Sequence, residues 1–247
     1  MRSIILAAGM GKRLGSAEHD LPKVMHLANG RPLLDIALET VGFIDKKDIY
    51  IVVGYKKEVI MDYFGPEYNY CVQKAQRGTG DAVRSASEAF SGYDGDVIVT
   101  FGDMPLFRRE SVQALIEQHR RSGADCTIMS GISESIKTYG RIIRDGKGDF
   151  LRIVEARDCT PEEYAVTEVN SGVAVYKSRS LFDVLPCLDN NNAQGEYYLT
   201  DVPSLMKERG MKVGLYTIFD GDELLGVNTP EELAAVEKIL QNRSVSV

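Results

Sequence analysis

The chain has 247 residues, of which 44% are hydrophobic and 26% charged, a composition that suits a globular protein with an ample core for one large α/β domain. Its net charge of −7 and pI near 5.1 argue against a nucleic-acid binder, which needs a basic face, but allow an enzyme that holds one nucleotide with a few local cations. No apolar run approaches the ~18 residues of a membrane span and the start lacks a signal-peptide layout, so we expect a cytoplasmic protein without a membrane partner.

The first predicted element is a buried strand over residues 3–7, which ends at a loop containing Gly9 and Gly11. Glycines let the backbone approach a ligand and turn its N–H groups toward it, as phosphate-binding loops do. Arg13 and Lys23 add positive charge within reach, so the pattern indicates an anion site, most simply for a nucleoside triphosphate. The spacing matches neither the P-loop nor the dinucleotide fingerprint. A strand-to-helix turn with solvated cations stays open as the alternative.

Strands and helices alternate over the first half of the chain. The apolar periodicity predicts helices over 33–41, 57–64, 82–90 and 109–121, and strands over 48–53, 70–72, 96–101 and 126–129. Such alternation implies crossover connections and a mostly parallel sheet covered on both faces. Ligands of these sheets bind beyond the carboxyl ends of the strands. Gly9, Gln73 and Asp103 each follow a strand directly, so we expect them to meet at one edge of the sheet.

The pattern changes after about residue 139, where two strand-like segments flank a predicted hairpin turn over 145–148. The remaining predicted elements are a strand over 168–176, a polar loop over 190–195, a helix over 199–210, a strand over 212–218 and a last helix that begins at Thr229. Thr229 and Glu232 form a capping-box pattern around Pro230. No linker or internal repeat divides the chain, so we expect one domain with a substrate-binding lobe in its second half.

Two oxygen-bearing side chains suit a metal site. Asp103 follows an apolar strand, so its carboxylate is expected to project from the strand end. At a site that holds several phosphate groups, Mg²⁺ offsets their repulsion with one or two protein oxygens plus phosphates and water as ligands. Asn228 offers an amide oxygen as a second ligand. Taken alone, Asp103 also suits the cap of a turn, and Asn228 suits a turn before a helix.

Further polar residues suit base and sugar recognition. The amide of Gln73 and the backbone of residues 78–80 could pair with a pyrimidine edge, although a polar loop before a helix explains the pattern equally well. Glu155 and Asn170 lie at or near strand ends and suit sugar hydroxyls. The three histidines form no triad or ligand pattern, and the four cysteines form no C-x-x-C pair. We therefore expect neither histidine-based catalysis nor a zinc site, and reduced thiols.

Together these motifs resemble the sugar-nucleotide pyrophosphorylases of the nucleotidyltransferase superfamily, and most closely the N-acetylglucosamine-1-phosphate uridylyltransferase domain of the bacterial GlmU family. The similarity runs from residue 3 to about 240. Its motifs, in the family's order, are LAAGMGKR from Leu6, LPK from Leu21, GTGDA from Gly78, FGDMPL from Phe101, YGRI from Tyr139, EVNSG from Glu168, NNNAQGEYYLTD from Asn190 and VN from Val227. The asparagine-rich run is the most specific, because generic nucleotidyltransferases do not share it.

The resemblance implies an α/β class, Rossmann-like three-layer nucleotidyltransferase fold with a mostly parallel central sheet and a sugar-binding lobe in the second half. It implies a single domain over 1–247, with a nucleotide-binding part at about 1–130, a sugar-binding part at about 131–228 and a closing helix at 229–242. It also implies nucleotide contacts for Leu6, Ala7, Ala8, Gly9, Gly11, Gln73, Gly78, Thr79 and Gly102. The sugar contacts it implies are Gly140, Glu155, Asn170, Tyr198 and Thr200.

The implied catalytic residues are Arg13 and Lys23, which would hold the phosphates, and the implied ligands of Mg²⁺ are Asp103 and Asn228. The expected reaction turns UTP and a hexose or hexosamine 1-phosphate, with N-acetylglucosamine 1-phosphate as the leading acceptor, into a UDP-sugar for the cell envelope and pyrophosphate. Positioning and charge neutralisation would supply the catalysis. The alternatives are a cytidylyltransferase or another pyrophosphorylase, and a sensor that binds nucleotide sugars without turnover. The sugar, the pathway and the oligomeric state stay open.

Two features depart from the family pattern. Residues 15–20 form a longer link before Lys23 than is usual, so the pattern does not fix how this lysine is presented. The GlmU family also continues into a β-helix acetyltransferase of hexapeptide repeats, whereas this sequence ends at Val247. We therefore expect no acetyltransfer and assume no trimer. The sequence does not distinguish a naturally short chain from a truncated form.

Overall fold

The computed structural model describes residues 1–15 and 20–245. The longer link at residues 15–20 falls mostly between these ranges, so the expectation about it lies outside the described residues. The strands are β1 (Arg2–Leu6), β2 (Leu27–Ala28), β3 (Arg31–Pro32), β4 (Ile49–Val53), β5 (Asn69–Val72), β6 (Asp96–Phe101), β7 (Cys126–Ile132), β8 (Arg141–Arg144), β9 (Phe150–Val154), β10 (Glu168–Lys177) and β11 (Val213–Ile218). The helices are α1 (Leu33–Glu39), α2 (Lys57–Phe64), α3 (Thr79–Arg84), α4 (Arg109–Ser122), α5 (Pro161–Tyr164), α6 (Ser178–Val184), α7 (Val202–Glu208) and α8 (Pro230–Val245).

The central sheet has the strand order β11-β7-β10-β6-β1-β4-β5, with the β8–β9 hairpin attached to β10. Strands β6, β1, β4 and β5 are mutually parallel, and β7 is parallel to β11. Strand β10 is antiparallel to both of its main neighbours, β6 and β7. The predicted mostly parallel sheet is confirmed, and the exception positions the site: because β10 runs the other way, its first residues lie beyond the carboxyl end of β6.

Apolar side chains cover both faces of the sheet. In β1, Ile4 and Leu6 pack into one core and Ile5 into the other, as the alternation of side chains along a strand requires. A strand that is buried on both faces has a continuous run of apolar residues, and such a run over residues 3–7 predicts β1. A third, smaller cluster joins Leu33 of α1 to Val236 of α8. The arrangement is the expected three-layer α/β architecture.

The helices that the sequence pattern predicts are observed except in one segment, and the short helices α5 and α6 were not predicted. The helix predicted over 82–90 ends as α3 at Arg84, and residues Glu88–Phe90 form a separate 3-10 turn. The hydroxyl of Ser85 donates to the Ala82 carbonyl at 2.6 Å, and such side-chain bonds compete with the helical N–H donors. The capping box of α8 is confirmed, because the Glu232 N–H donates to Thr229 Oγ1 and the Thr229 N–H donates to Glu232 Oε2. No helix in the described ranges is long and apolar enough to span a membrane.

Candidate active site

The loop after β1 is held by hydrogen bonds from both sides. The Ala7 N–H donates to the Val52 carbonyl at 2.8 Å, and the Ala8 carbonyl accepts from the Tyr55 N–H at 3.2 Å and from Gln76 Nε2 at 2.6 Å. The next strand can approach closely because residue 54 is glycine: a Cβ there would lie 2.9 Å from the Ala8 carbonyl oxygen. The loop is therefore fixed at the carboxyl edge of the sheet.

A cleft of about 260 Å³ opens at this loop, and we call it the first cleft. It is lined by Leu6, Ala7, Ala8, Gly9, Lys23, Val24, Gln73, Gln76, Gly78, Thr79, Ala82, Phe101, Asp103 and Glu196. The structure thus brings together seven of the nine residues expected to contact the nucleotide, although they come from three separate segments. The predicted meeting of Gly9, Gln73 and Asp103 at one edge of the sheet is observed.

The amide of Gln73 has a defined orientation in the first cleft. Its Nε2 donates to the Gly78 carbonyl and to Asp81 Oδ2, each at 3.1 Å. Both partners are acceptors, so the nitrogen must face them, and Oε1 accepts no hydrogen bond from the residues that the structure describes, which leaves this acceptor available to a ligand.

The glycine turn before α3 docks against the segment that follows the asparagine-rich loop. Gly78 has a φ of +110°, and a Cβ there would lie 2.5 Å from the Tyr197 carbonyl oxygen. The Gly80 N–H donates to that carbonyl at 2.8 Å, and the Leu199 N–H donates to Thr79 Oγ1 at 3.0 Å. These contacts require glycine at residue 78 and join the nucleotide side of the molecule to its second half.

A second cleft of about 210 Å³ lies beside the first. It is lined by Thr79, Phe101, Asp103, Met104, Ile128, Thr138, Tyr139, Gly140, Ile153, Glu155, Asn170, Ser171, Gly172, Ala174, Tyr176, Leu199, Thr200, Pro203 and Asn228. Four of the five residues expected to contact the sugar are among them. They come from β10, from the β8–β9 hairpin and its flanks, and from the turn before α7.

A bulge in β10 positions Asn170. The register between β10 and β7 shifts between Asn170 and Ala174. Within the bulge, the Gly172 N–H donates to Asn170 Oδ1 at 3.1 Å, and the Asn170 N–H donates to the Gly140 carbonyl at 2.8 Å. Bulges re-aim side chains in this way. Asn170 is therefore fixed on the wall of the second cleft, with one amide oxygen bond already used.

Glu155 lines the second cleft, and further carboxylates lie near it. Burial raises the pKa of Glu155, and a 2.8 Å hydrogen bond from Thr200 Oγ1 to Glu155 Oε1 opposes that shift. Burial, reinforced by the charges of Glu155, Asp189 and Asp158, raises the pKa of Asp201 to about 6. Glu155 therefore offers the second cleft an oriented acceptor, which suits a hydroxyl group of a sugar.

The two clefts share Thr79, Phe101 and Asp103. At the shared wall, Lys23 Nζ contacts Asp103 Oδ2 and donates to Asn228 Oδ1 at 2.8 Å. The backbone of Asn228 is fixed by its N–H bond to Glu232 Oε2 at 2.6 Å, part of the start of α8. Residues 23, 103 and 228 are therefore brought to one point by three elements far apart in the sequence.

The donor set at this point fits Mg²⁺. The two oxygens expected to bind the metal already face one positive charge, the ammonium of Lys23. Among residues 1–15 and 20–245, no group of three or more His, Cys, Asp or Glu side chains could form a protein-only cage. Mg²⁺ does not require such a cage, because it is usually bound by one or two carboxylates and completed by phosphates and water.

Four expected site residues lie outside both cleft linings, and their roles stay predictions. Gly11, with a φ of +75°, begins a 3-10 turn after the loop. The Gly102 N–H donates to the Leu6 carbonyl at 3.0 Å, so this glycine packs between β1 and α1. The Tyr198 hydroxyl accepts from Gln194 Nε2 at 2.9 Å. Arg13 lies in a separate outer depression.

The sequence reasoning missed five residues that line the first cleft: two aliphatic ones, Val24 and Ala82, and three with polar or aromatic side chains. Gln76 bonds the loop carbonyl of Ala8, Phe101 lies between the two clefts, and Glu196 closes the side formed by the second half. Each occurs in or beside a motif that the resemblance uses. Their individual roles depend on contacts between distant segments, so no local pattern singles them out.

Comparisons with known proteins identify the family of this chain. The family model of the MobA-like NTP transferase domain matches residues 3–198. The chain is 42% identical over 241 residues to the bifunctional protein GlmU of Streptococcus agalactiae and 39% identical to that of Caldanaerobacter subterraneus. Each alignment covers 98% of this chain and 52% of the relative, so the chain spans about half the length of these curated relatives.

The fold also occurs among solved structures. A Bacillus anthracis protein assigned as a glucose-1-phosphate thymidylyltransferase and crystallised with sucrose superposes with a TM-score of 0.77, over 97% of this chain and 94% of that one. The two sequences are only 19% identical, so this likeness concerns the fold alone.

Proposed function

Because the chain belongs to the family of MobA-like NTP transferase domains, we propose that it transfers a uridylyl group from UTP to a sugar 1-phosphate and releases pyrophosphate. N-acetylglucosamine 1-phosphate is the proposed acceptor. One observation carries the proposal: a cleft suited to a nucleotide and a cleft suited to a sugar meet at Asp103, beside Lys23 and Asn228. That is where the two phosphates would have to react.

The orientation of Gln73 supports uridine. Its Nε2 is occupied by two acceptors, so it presents Oε1 to the base. The imide N3–H of uracil is a donor that pairs with this oxygen, whereas cytosine has a lone pair at the same position. This difference favours UTP over CTP, because an unpaired buried acceptor costs about 1–3 kcal/mol.

The phosphates would lie along the loop after β1, whose fixed backbone and glycines allow close approach. When bound, Mg²⁺ would neutralise charge between the phosphates, held by Asp103 and Asn228. Lys23 already contacts both of these side chains, so its ammonium can move to the α-phosphate region without a large displacement. Arg13 follows the same loop and is proposed to bind the outer phosphates.

The proposed chemical step is an in-line displacement. An oxygen of the sugar 1-phosphate bonds to the α-phosphorus while the bond from that phosphorus to the α,β-bridging oxygen breaks. The electron pair leaves with pyrophosphate, and Lys23 stabilises the charge that develops. The residues of the chain act by positioning and electrostatics, with no covalent intermediate on the protein.

The sugar assignment rests on the second cleft and on the relatives. Asn170, Gly140, Glu155 and Thr200 place amide, backbone and carboxylate groups around it. The sequence relatives at 39–42% identity carry the name GlmU, and the resemblance of the asparagine-rich loop is to that family's N-acetylglucosamine enzyme. We propose a cytoplasmic reaction that supplies a nucleotide sugar for the cell envelope.

The test is a matrix of nucleoside triphosphates against sugar 1-phosphates with pyrophosphate release as the readout. We expect the largest kcat/KM for UTP with N-acetylglucosamine 1-phosphate in the presence of Mg²⁺. Faster turnover with CTP or with another sugar would replace the substrate assignment and keep the class of reaction. Tight binding of UDP-sugars without pyrophosphate release from any pair would identify a sensor and overturn the proposal.

A further inference from the structure

A third concavity, the outer depression, adjoins the second cleft. It has a volume of about 300 Å³ and is lined by Arg13, Lys137, Thr138, Glu155, Ala156, Arg157, Tyr164 and Gln194. Thr138 and Glu155 also line the second cleft. No lining residue of the outer depression belongs to the first cleft. The depression therefore adjoins the proposed sugar site, and Arg13 is the lining residue that the proposed function also assigns to the nucleotide, through its outer phosphates.

The outer depression gathers positive charge in an acidic protein. Arg13, Lys137 and Arg157 come from three separate segments, and the net charge of the chain is −7. Within residues 1–15 and 20–245, no carboxylate forms an ion pair with any of the three, whereas Arg144 and Arg152 each contact a glutamate. Three cations that share one concave surface repel each other unless an anion lies between them.

Hydrogen bonds from a buried arginine fix the backbone at Lys137. The buried guanidinium of Arg141 donates to the Tyr139 carbonyl at 2.5 Å and to the Lys137 carbonyl at 3.5 Å. Arg141 is only 1% exposed, so this support is part of the core. A fixed rim reduces the conformational freedom that Lys137 loses when it binds a ligand.

One carboxyl group in the lining opposes an anion, and its surroundings weaken that opposition. Glu155 accepts a hydrogen bond from Thr200 at 2.8 Å, on the side of the second cleft. Burial raises the pKa of Glu155, so its charged form is less favoured than that of an exposed glutamate. The three cations therefore dominate the charge of the outer depression.

We propose that Arg13, Lys137 and Arg157 form an anion-binding subsite at the outer end of the second cleft, suited to a phosphate or carboxylate group. The inference rests on the proposed function, because it extends the acceptor site of that reaction. Continuity with the second cleft favours a sugar phosphate with a second acidic group as the source of the anion, so such a ligand should bind more tightly than one whose only acidic group is the 1-phosphate. The terminal phosphates of the triphosphate are the other source, since Arg13 follows the loop after β1.

The test compares two double variants by calorimetry on the metal-free protein. Lys137→Gln with Arg157→Gln removes two cations of the subsite and leaves Arg13 in place. Lys147→Gln with Lys238→Gln removes two exposed lysines on other surfaces and is the matched control. The probes are glucose 1-phosphate, glucose 1,6-bisphosphate and inorganic pyrophosphate. Binding is measured without turnover, so a protein that fails to release pyrophosphate in the substrate matrix can still support or overturn the subsite.

If the anion belongs to the sugar, the wild-type protein binds the bisphosphate about tenfold more tightly than the monophosphate, and the subsite variant loses this difference. If the anion belongs to the triphosphate, the subsite variant weakens pyrophosphate binding by about tenfold and the two sugar phosphates bind alike. In both cases the control behaves as wild type and added salt reduces the difference. Equal affinities of subsite and control variants for all three probes would overturn the proposal.

Discussion

The first and second clefts share a wall but are built in different ways. The first cleft begins with the stretch from Leu6 to Gly9, in which the small residues Ala7, Ala8 and Gly9 let the backbone line the surface. The second takes side chains from the bulge of β10, the β8–β9 hairpin and the turn before α7. A surface of backbone and small residues suits phosphates, which every nucleotide carries. A surface of side chains from several elements can change one contact at a time, which suits the choice of sugar.

The comparison predicts that a substitution at the shared wall affects both clefts. A substitution elsewhere in one cleft should affect that cleft alone. Asp103→Ala should have the largest effect, because Asp103 lines both clefts and is the only charged member of the proposed metal pair. We expect kcat to fall about a thousandfold, ~4 kcal/mol of barrier, with little change in the free energy of unfolding. Steady-state rates across a Mg²⁺ titration and a thermal melt measure the two quantities.

Asn228→Ala is the control for that prediction. It removes a neutral ligand and should weaken the Mg²⁺ dependence less than Asp103→Ala does. Near-wild-type turnover of Asp103→Ala at limiting Mg²⁺ would contradict the metal assignment and leave the shared wall without its proposed role.

Lys23→Ala should lower the turnover that depends on the first cleft and leave the sugar preference of the second cleft unchanged. Lys23 lines the first cleft and is proposed to act on charge that develops in the transition state, so kcat should fall about a hundredfold with the acceptor preference intact. Removing the ammonium from between Asp103 and Asn228 should also raise the affinity of the free protein for Mn²⁺, measured by electron paramagnetic resonance. Lys238→Ala is the control. A rise in KM for UTP with kcat unchanged would show that Lys23 binds only the ground state.

Asn170→Ala should act on the second cleft alone. A site that hydrogen-bonds an acetamido group leaves a polar group unpaired when glucose 1-phosphate binds, at ~1–3 kcal/mol per lost partner. We expect the wild-type protein to prefer N-acetylglucosamine 1-phosphate by roughly tenfold in kcat/KM and Asn170→Ala to lose most of that preference. Gln73→Ala is the matched substitution in the first cleft and should raise KM for UTP without changing the sugar preference. Equal loss of preference in both variants would remove the distinction between the clefts.

The smallest expected effect is a pH-dependent change in the melting temperature, caused by the buried carboxyl group of Asp201. Burial and the neighbouring carboxylates raise the pKa of Asp201 from 3.8 to about 6, so the folded protein holds a proton that the unfolded chain has released. The stability that this proton confers is complete below pH 4 and is lost as the pH rises to about 6. Asp201→Asn should therefore raise the melting temperature at pH 7.5 and leave it unchanged at pH 4. Asp201 is partly solvated, so the gain is expected to be at most about 1 kcal/mol.

The matched control is Asp189→Asn, which removes a carboxylate from the same group at an exposed position. It should change the melting temperature less than Asp201→Asn does. An equal gain at pH 4 and pH 7.5 would show that the effect of Asp201→Asn comes from packing and not from the charge.

The sequence alone determined the elements whose causes are local. Continuous apolar runs predicted the buried strands β1, β4 and β6, and the capping box at Thr229 predicted the start of α8. The prediction of one helix over 82–90 was wrong for a reason that is also local. The end of α3 depends on which serine hydroxyls donate to the helix carbonyls. Composition does not encode that choice, because a serine bonds either the backbone or water at similar cost.

Only the tertiary structure decided how distant residues combine. Lys23 is separated by 80 residues from Asp103 and by 205 from Asn228, and the register of the sheet together with the docking of α8 brings them into contact. The same packing turns β10 antiparallel, so that Asn170 lies at the ligand edge, and places Arg13 beside Lys137 and Arg157. Local patterns reflect periodicity and the sterics of neighbouring residues. Contacts between distant segments depend on the packing of the whole core, which no single stretch of sequence contains.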